Sequence, residues 1–255
     1  MKLNTDINVV GGIPDFYMLY KALPLLNEDR SRVKNLIVER NEFELRTEKS
    51  RERFMHSLYS AFYTENKDIN KLCLNLIQYF EKDEQSQALI CFWLFSIKND
   101  LFFDLNINVF LKSYFQGKVG LTSNDVFAYL KEEILPKAEN VKWSESTLKS
   151  LSSKYLTILK KFNLVDGVKQ RTFKTLTITD ELLAVFLHIH YFNEKKNNNL
   201  LKDDFVKLSF ISQESLVERI KKIAGKGHIQ MSYLGTSLYI EPKYSINNII
   251  DGIFR

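Results

Sequence analysis

Residues 143–178 read WSESTLKSLSSKYLTILKKFNLVDGVKQRTFKTLTI, a stretch that predicts one helix followed by a tight hairpin. Leu148, Leu151, Tyr155, Leu159 and Phe162 recur every three or four residues, so a helix gathers them on one apolar face. The opposite face holds Ser146, Lys149, Ser150, Ser153, Thr157 and Lys160, and after Glu145 it carries no acid. Lys154 adds a cation to the same helix, and Lys169, Arg171 and Lys174 follow on the hairpin. Small hydroxyls and lysines on a helix, with cations on an adjoining wing, suit a winged-helix unit. In such a unit the helix enters a nucleic-acid groove and the wing touches phosphates.

Similar grammar recurs downstream. Ser212 caps a helix through Leu216, Ile220 and Ile223, and Gly225 and Gly227 end it. Residues 228–233 and 237–241 then alternate as two strands around Leu234-Gly235-Thr236. Upstream, residues 1–12 look extended and end at Gly11-Gly12. Asp15 opens a helix through Phe16, Leu19 and Tyr20 that breaks near Pro24. Thr47 caps a helix to about Tyr63. Segments 67–82 and 84–98 are apolar around most of their circumference, which marks the buried centre of a helical bundle. A helix over 109–115 follows, then one from Thr122 that Pro136 stops, and one from Thr179 to about Phe192. The polar run 193–199 reads as a loop and an internal break. The expected fold is mainly α with small β-hairpins, a helical bundle with winged-helix-like units. Its expected divisions are an N-terminal helical domain over 1–118, a central winged-helix-like unit over 119–196 and a C-terminal helix-plus-hairpin unit over 197–255.

Composition agrees with long helices: nine glycines and four prolines in 255 residues are few for a turn-rich β-protein. The net charge of +5 is modest, but its placement is not. Residues 142–174 hold eight cations against Glu145 and Asp166, a local +6, so the rest of the chain is about neutral. Such a field steers polyanions toward one surface. Cys73 and Cys91 sit in apolar helical patterns and read as buried thiols. No apolar run reaches the length of a membrane span, and the first residues lack the core of a signal peptide, so a cytoplasmic protein is expected.

Catalytic chemistry finds little footing. His188 and His190 lie two apart on a helix and so point to different sides, with no third ligand nearby; His56 and His228 are isolated. Phosphate-loop, nucleophile-elbow and zinc-protease motifs do not occur. Neither a cofactor nor a metal is expected. The run ERNEFELRTEKSRERF over 39–54 places Arg46, Ser50 and Arg53 at i, i+4 and i+7, with Arg51 beside them. Interleaved Glu44, Glu48 and Glu52 leave two readings open: a solvated helix laced with ion pairs, or an arginine face for phosphates.

Three segments together resemble one family. LRTEKSRERFMHSLYSAF resembles the Arg–Ser–Arg helix of the BrxA proteins, and WSESTLKSLSSKYLTILKKFNLVDG resembles that family's central segment. LGTSLYIEPKYSINNIIDGI is similar to its closing hairpin and short helix. The resemblance implies a cytoplasmic, non-enzymatic component of the BREX phage-defence system that binds double-stranded DNA. It also implies a contact surface of Arg46, Ser50, Arg53, Ser144, Ser146, Thr147 and Lys149. Two other readings stand beside it. One is an RNA-binding, antitermination-like helical protein; the other is an adaptor docking other defence-system proteins through the same basic face.

Overall fold

A computed structural model describes residues 6–137 and 142–254. Residues 1–5 of the N-terminal stretch, 138–141 of the linker before the basic helix, and Arg255 lie outside the described residues. The fold is mainly α with small antiparallel sheets. The chain divides into two compact units, Met1–Glu65 with Ile77–Thr175, and Asn66–Leu76 with Leu176–Arg255.

In the first unit, Ile7–Gly12 forms a 3-10 turn where extended chain was expected. The reason is its spacing: Ile7, Val10 and Ile13 are all buried, and a period of three puts them on one side of a three-residue turn. Helix α1, Phe16–Ala22, starts where the Asp15 carboxylate accepts the Met18 N–H at 2.8 Å. Helix α2, Arg30–Lys34, runs into a π-turn at Asn35–Glu39. Helix α3, Glu48–Phe62, begins at the expected Thr47 cap. Helix α4, Lys67–Tyr79, spans the division between the units. Helix α5, Glu84–Lys98, is buried from Ser86 to Ser96 and forms the centre of the bundle.

The helix expected over 109–115 is longer. Asn99 caps α6, Asp100–Leu105, which continues through a π-turn at Asn106–Leu111 into α7, Lys112–Phe115. Strand β1, Gly120–Thr122, leads to α8, Ser123–Tyr129, with a π-turn at Leu130–Ile134. Helix α9, Glu145–Lys161, is the one read at the outset, and β2, Val165–Asp166, and β3, Gln170–Phe173, are its hairpin. β3 lies in the middle of an antiparallel sheet ordered β1-β3-β2, with Leu121 opposite Arg171 and Val165 opposite Phe173.

The core of this unit converges on Phe162, which is fully buried at the end of α9. Its ring lies 5.1 Å from Phe16, 6.5 Å from Phe62, 6.0 Å from Phe92, 6.3 Å from Phe95 and 5.9 Å from Phe102. These rings come from α1, α3, α5 and α6, so one side chain joins four helices to α9. A buried polar chain adds a second tie: the Tyr155 hydroxyl donates to Asn106 Oδ1 at 2.8 Å, and Asn106 Nδ2 donates to Ser96 Oγ at 3.2 Å.

The second unit contains α10, Asp180–Phe192, α11, Gln213–Gly225, the hairpin of β4, Ile229–Tyr233, and β5, Leu238–Pro242, and α12, Ile249–Phe254. The 193–199 loop lies within it, held where Asn199 Oδ1 accepts the Leu238 N–H at 3.0 Å. His188 and His190 are core residues: His188 Nδ1 meets the Ala184 carbonyl and His190 Nε2 meets Asp203, each at 2.7 Å. Cys73 and Cys91 are both buried, and neither is in a disulfide. Among the described residues no three His, Cys, Asp or Glu cluster as metal ligands, and no helix is long and apolar enough to cross a membrane.

Phe162→Ala opens a cavity where five rings meet and is expected to cost about 3–5 kcal/mol, measured by urea unfolding. In the second unit, hydrogen bonds and charge from Lys222 and Arg219 pull Asp180 down from 3.8 to about 2. A depressed carboxylate contributes its stability fully above the unfolded value and loses it as pH falls through the folded one. Asp180→Asn should therefore destabilise by about 1 kcal/mol at neutral pH. That difference from the parent should shrink as pH drops from 3.8 toward 2. A difference independent of pH across that window would show that the carboxylate's charge is not what matters.

Candidate nucleic-acid interface

Helix α9 begins at Glu145, with Ser144 as its N-cap. The Ser144 hydroxyl accepts the Thr147 N–H at 3.2 Å and bonds the hydroxyls of Ser146 at 2.8 Å and Thr147 at 2.9 Å. These three hydroxyls therefore form a local knot that fixes the first turn. The apolar face packs as expected, with Leu148, Leu151, Tyr155, Leu159 and Phe162 all buried. Ser146, Lys149, Ser150, Ser153, Thr157 and Lys160 face outward.

The helix ends in a way the hairpin depends on. Asn163 takes a left-handed conformation at φ 58°. Its N–H bonds the Lys160 carbonyl at 2.9 Å, and the Leu164 N–H reaches back to the Leu159 carbonyl at 3.0 Å. This Schellman closure turns the chain straight into β2. The tip of the wing is then clamped. Gly167, at φ +97°, has no room for a side chain, since a Cβ would lie 2.3 Å from the Gln170 carbonyl oxygen. The Gly167 carbonyl accepts from Lys160 Nζ at 3.2 Å and from Arg171 Nη1. Lys174 Nζ donates to Asn163 Oδ1. Arg171 and Lys174 thus hold the wing's shape, while Lys169 stands exposed beside Val168, which is 82% exposed at the tip.

The two acids of the basic stretch are both matched. Glu145 pairs with Lys149 at 2.7 Å, and that lysine lowers its pKa. Asp166 is lowered by the Gly167 N–H and by Lys160, whose Nζ lies 3.2 Å away. Exposed pairs of this kind add little stability. Their effect is on the field: Arg171, Lys174 and Lys161 hydrogen-bond neutral oxygens and form no direct ion pair, although Asp166 lies within the field of Lys174 and Asp15 within that of Lys161. Lys154 and Lys169 have no side-chain partner among the described residues.

The N-terminal set is split by the fold. Arg46 precedes the Thr47 cap and is not on α3, so it does not share a helical face with Ser50 and Arg53. Ser50 closes a reciprocal cap: its N–H bonds Thr47 Oγ1 at 3.1 Å, and its hydroxyl accepts the Thr47 N–H at 3.2 Å. Arg51 is half-buried with a buried Nε, whereas Arg53 points along a cleft that Lys154 and Lys161 also line. Sequence reasoning separated Arg53 from Lys154 and gave Lys161 no place among the contacts. No local signal joins them, because they meet only where the Ile7–Gly12 turn, α3 and α9 come together.

These features define a class: a mainly helical protein with two helix–hairpin modules, one of them strongly basic. The chain belongs to the BrxA family, whose model, described as BrxA, matches residues 16–189. That membership associates it with the BREX phage-defence system. The matched stretch includes α3, α9 and the basic hairpin and ends before the β4–β5 hairpin. No curated protein matches the chain.

Caps and contacts make different demands on the same serines. Ser50→Ala and Ser144→Ala are each expected to lower stability by about 1 kcal/mol through loss of a cap. Duplex affinity should stay at the parent's level. A large affinity loss with unchanged melting temperature would instead make these serines contacts.

Proposed function

We propose that the chain is a non-enzymatic, double-stranded DNA-binding component of a BREX defence assembly, gripping DNA mainly by its backbone phosphates. The order β1, α8, α9, β2, β3, with β3 central in the sheet, supports reading this segment as a winged helix whose recognition helix would be α9. The observation that carries the reading is the outward face of α9 and its wing. Both acids there are matched by lysines, while Lys169 projects free and Arg171 and Lys174 hydrogen-bond neutral oxygens and form no direct ion pair. Ser150 and Ser153, exposed on the same face, offer small hydroxyls with no side-chain bond to another described residue. Phosphate contacts position such a module, and groove-facing hydroxyls and lysines read or tolerate bases. The family is not a known enzyme family, in keeping with a binding role.

Phosphate contacts release counterions, so the logarithm of affinity falls linearly with the logarithm of salt concentration. Lys149→Gln and Lys169→Gln should each weaken duplex binding and reduce that salt slope by about 1. Fluorescence anisotropy titrations over a salt series measure both. An unchanged slope in the double variant would remove this face from the interface. Competition by a matched RNA duplex or single strand that outruns DNA would favour the RNA reading, and a partner protein captured after nuclease treatment through the same lysines would favour the adaptor.

A further inference from the structure

A cleft of about 190 Å³ opens between the Ile7–Gly12 turn, α3 and α9. Its polar lining consists of Asn8, Arg53, Lys154, Thr157 and Lys161, over an apolar floor that includes Val10 and Ile158. Three cations and no acid line it. Arg53 and Lys154 have no side-chain partner among the described residues. Lys161 is half-buried, lies 5.7 Å over the Phe16 ring, and donates to the Ile13 carbonyl at 3.2 Å. Burial pushes its pKa down, with Asp15 as the opposing influence, and that carboxylate is already occupied in capping α1.

One wall is the turn that ends at Gly11-Gly12. At Gly12 a Cβ would lie 2.1 Å from Ser57 Oγ and 3.1 Å from the Arg53 backbone oxygen, so only glycine lets the turn pack on α3. At Gly11, which lines the cleft, a Cβ would stand in ordinary contact 4.0 Å from Arg53 Nη2, so the guanidinium lies beside this turn. Sites that engulf a whole ligand span roughly 300–1,000 Å³. This one is smaller and suits a single charged group. A guanidinium supplies parallel N–H donors matched to a tetrahedral oxyanion, and two ammonium groups beside it favour a dianion.

We propose that this cleft is a phosphoryl-binding site, with Arg53 as the fork, Lys154 and Lys161 as flanking charges and the Asn8 amide at the rim. It does not depend on the DNA reading. Lys154, Ile158 and Lys161 fall at i, i+4 and i+7 on a flank of α9 that adjoins the face of Ser146, Ser150 and Ser153, and Thr157 of that face also lines the cleft, but the site's fork, Arg53, comes from α3. The phosphoryl group could be free phosphate, a small phosphorylated molecule, or the terminal phosphate of a nucleic acid.

The test is calorimetric titration of the full chain with inorganic phosphate, ionic strength being held constant with chloride. Saturable one-site binding is expected. Arg53→Gln with Lys154→Gln should weaken it by about tenfold or more, the scale of lost charge-assisted hydrogen bonds. Lys71→Gln, on exposed helix surface elsewhere, should leave it unchanged. Both substituted positions in the double variant are exposed, and circular dichroism checks its fold; the single variant Lys154→Glu gives a second reading. No saturable binding, or undiminished binding in both variants, overturns the proposal. Tighter binding of a 5′-phosphorylated than a 5′-hydroxyl duplex assigns the group to a nucleic-acid end. Tighter binding of a nucleoside monophosphate than of phosphate, with the two duplexes equal, assigns it to a small molecule, and equal affinity throughout assigns it to free phosphate. Loss of duplex binding in Lys149→Gln/Lys169→Gln leaves phosphate binding intact, so failure of either proposal is visible without the other.

Discussion

Everything in the first unit that bears on function is referred to the burial of Phe162. Rings from α1, α3, α5 and α6 surround it. The next residue, Asn163, already has the left-handed conformation that sends the chain into the wing. Hub and exit are therefore adjacent in the chain, and the direction of the hairpin is set within one residue of the densest aromatic packing. The Tyr155–Asn106–Ser96 chain fixes α9 a second time, two turns earlier. Breaking such a chain at one member leaves a buried acceptor unsatisfied, which costs more than the bond itself contributes. A helix held at both places does not rotate about its axis, so which of its residues face outward is a fixed property of the fold. That rigidity lowers the ordering cost of binding anything to its outer face.

Much of this was legible because it is local. The period of α9 and the helix starts at Thr47, Thr122 and Thr179 depend on residues within one helical turn, whereas the Ser144 cap emerged only in the fold. The 3-10 turn at Ile7–Gly12 escaped because two turns of period three are too short to separate from an extended apolar stretch. The run from Asp100 to Phe115 looked broken because its π-turn at Asn106–Leu111 interrupts the 3.6-residue period and turns the polar Asn106 inward toward Tyr155. Arg46 was misplaced by one boundary: it stands just before the Thr47 cap, and a residue outside a helix shares no face with those inside it.

Charge was legible as a total and not as a field. Counting gives the basic stretch its excess, but only the fold decides which cations meet acids, which meet neutral oxygens and which stand alone. Lys149 and Lys160 are paired, Arg171 and Lys174 brace the wing without losing charge, and Lys169 is free to act at a distance. The convergence of Arg53 with Lys154 depends on α3 packing beside the N-terminal turn and α9, a long-range arrangement that no spacing rule encodes.

The second unit separates geometry from function. Helix α11 ends as α9 does: Gly227 is left-handed, its N–H bonds the Ala224 carbonyl at 2.9 Å, and the His228 N–H reaches the Ile223 carbonyl at 3.3 Å. In both modules the first hairpin strand starts two residues after the left-handed position, at Val165 and at Ile229. The local construction is the same, yet the chemistry is not. Helix α11 carries Glu214 and Glu218 on its surface, and Arg219, Lys222 and Lys226 are engaged with Asp180 and Glu181. A helix that spends its cations on acids of its own unit has few left for a polyanion, whereas on α9 only Lys149 and Lys160 meet acids, Lys161 bonds a carbonyl and Lys154 stands exposed. The same closure thus serves stability in one module and presents charge in the other, and the acids opposite each lysine, not the hairpin, decide which.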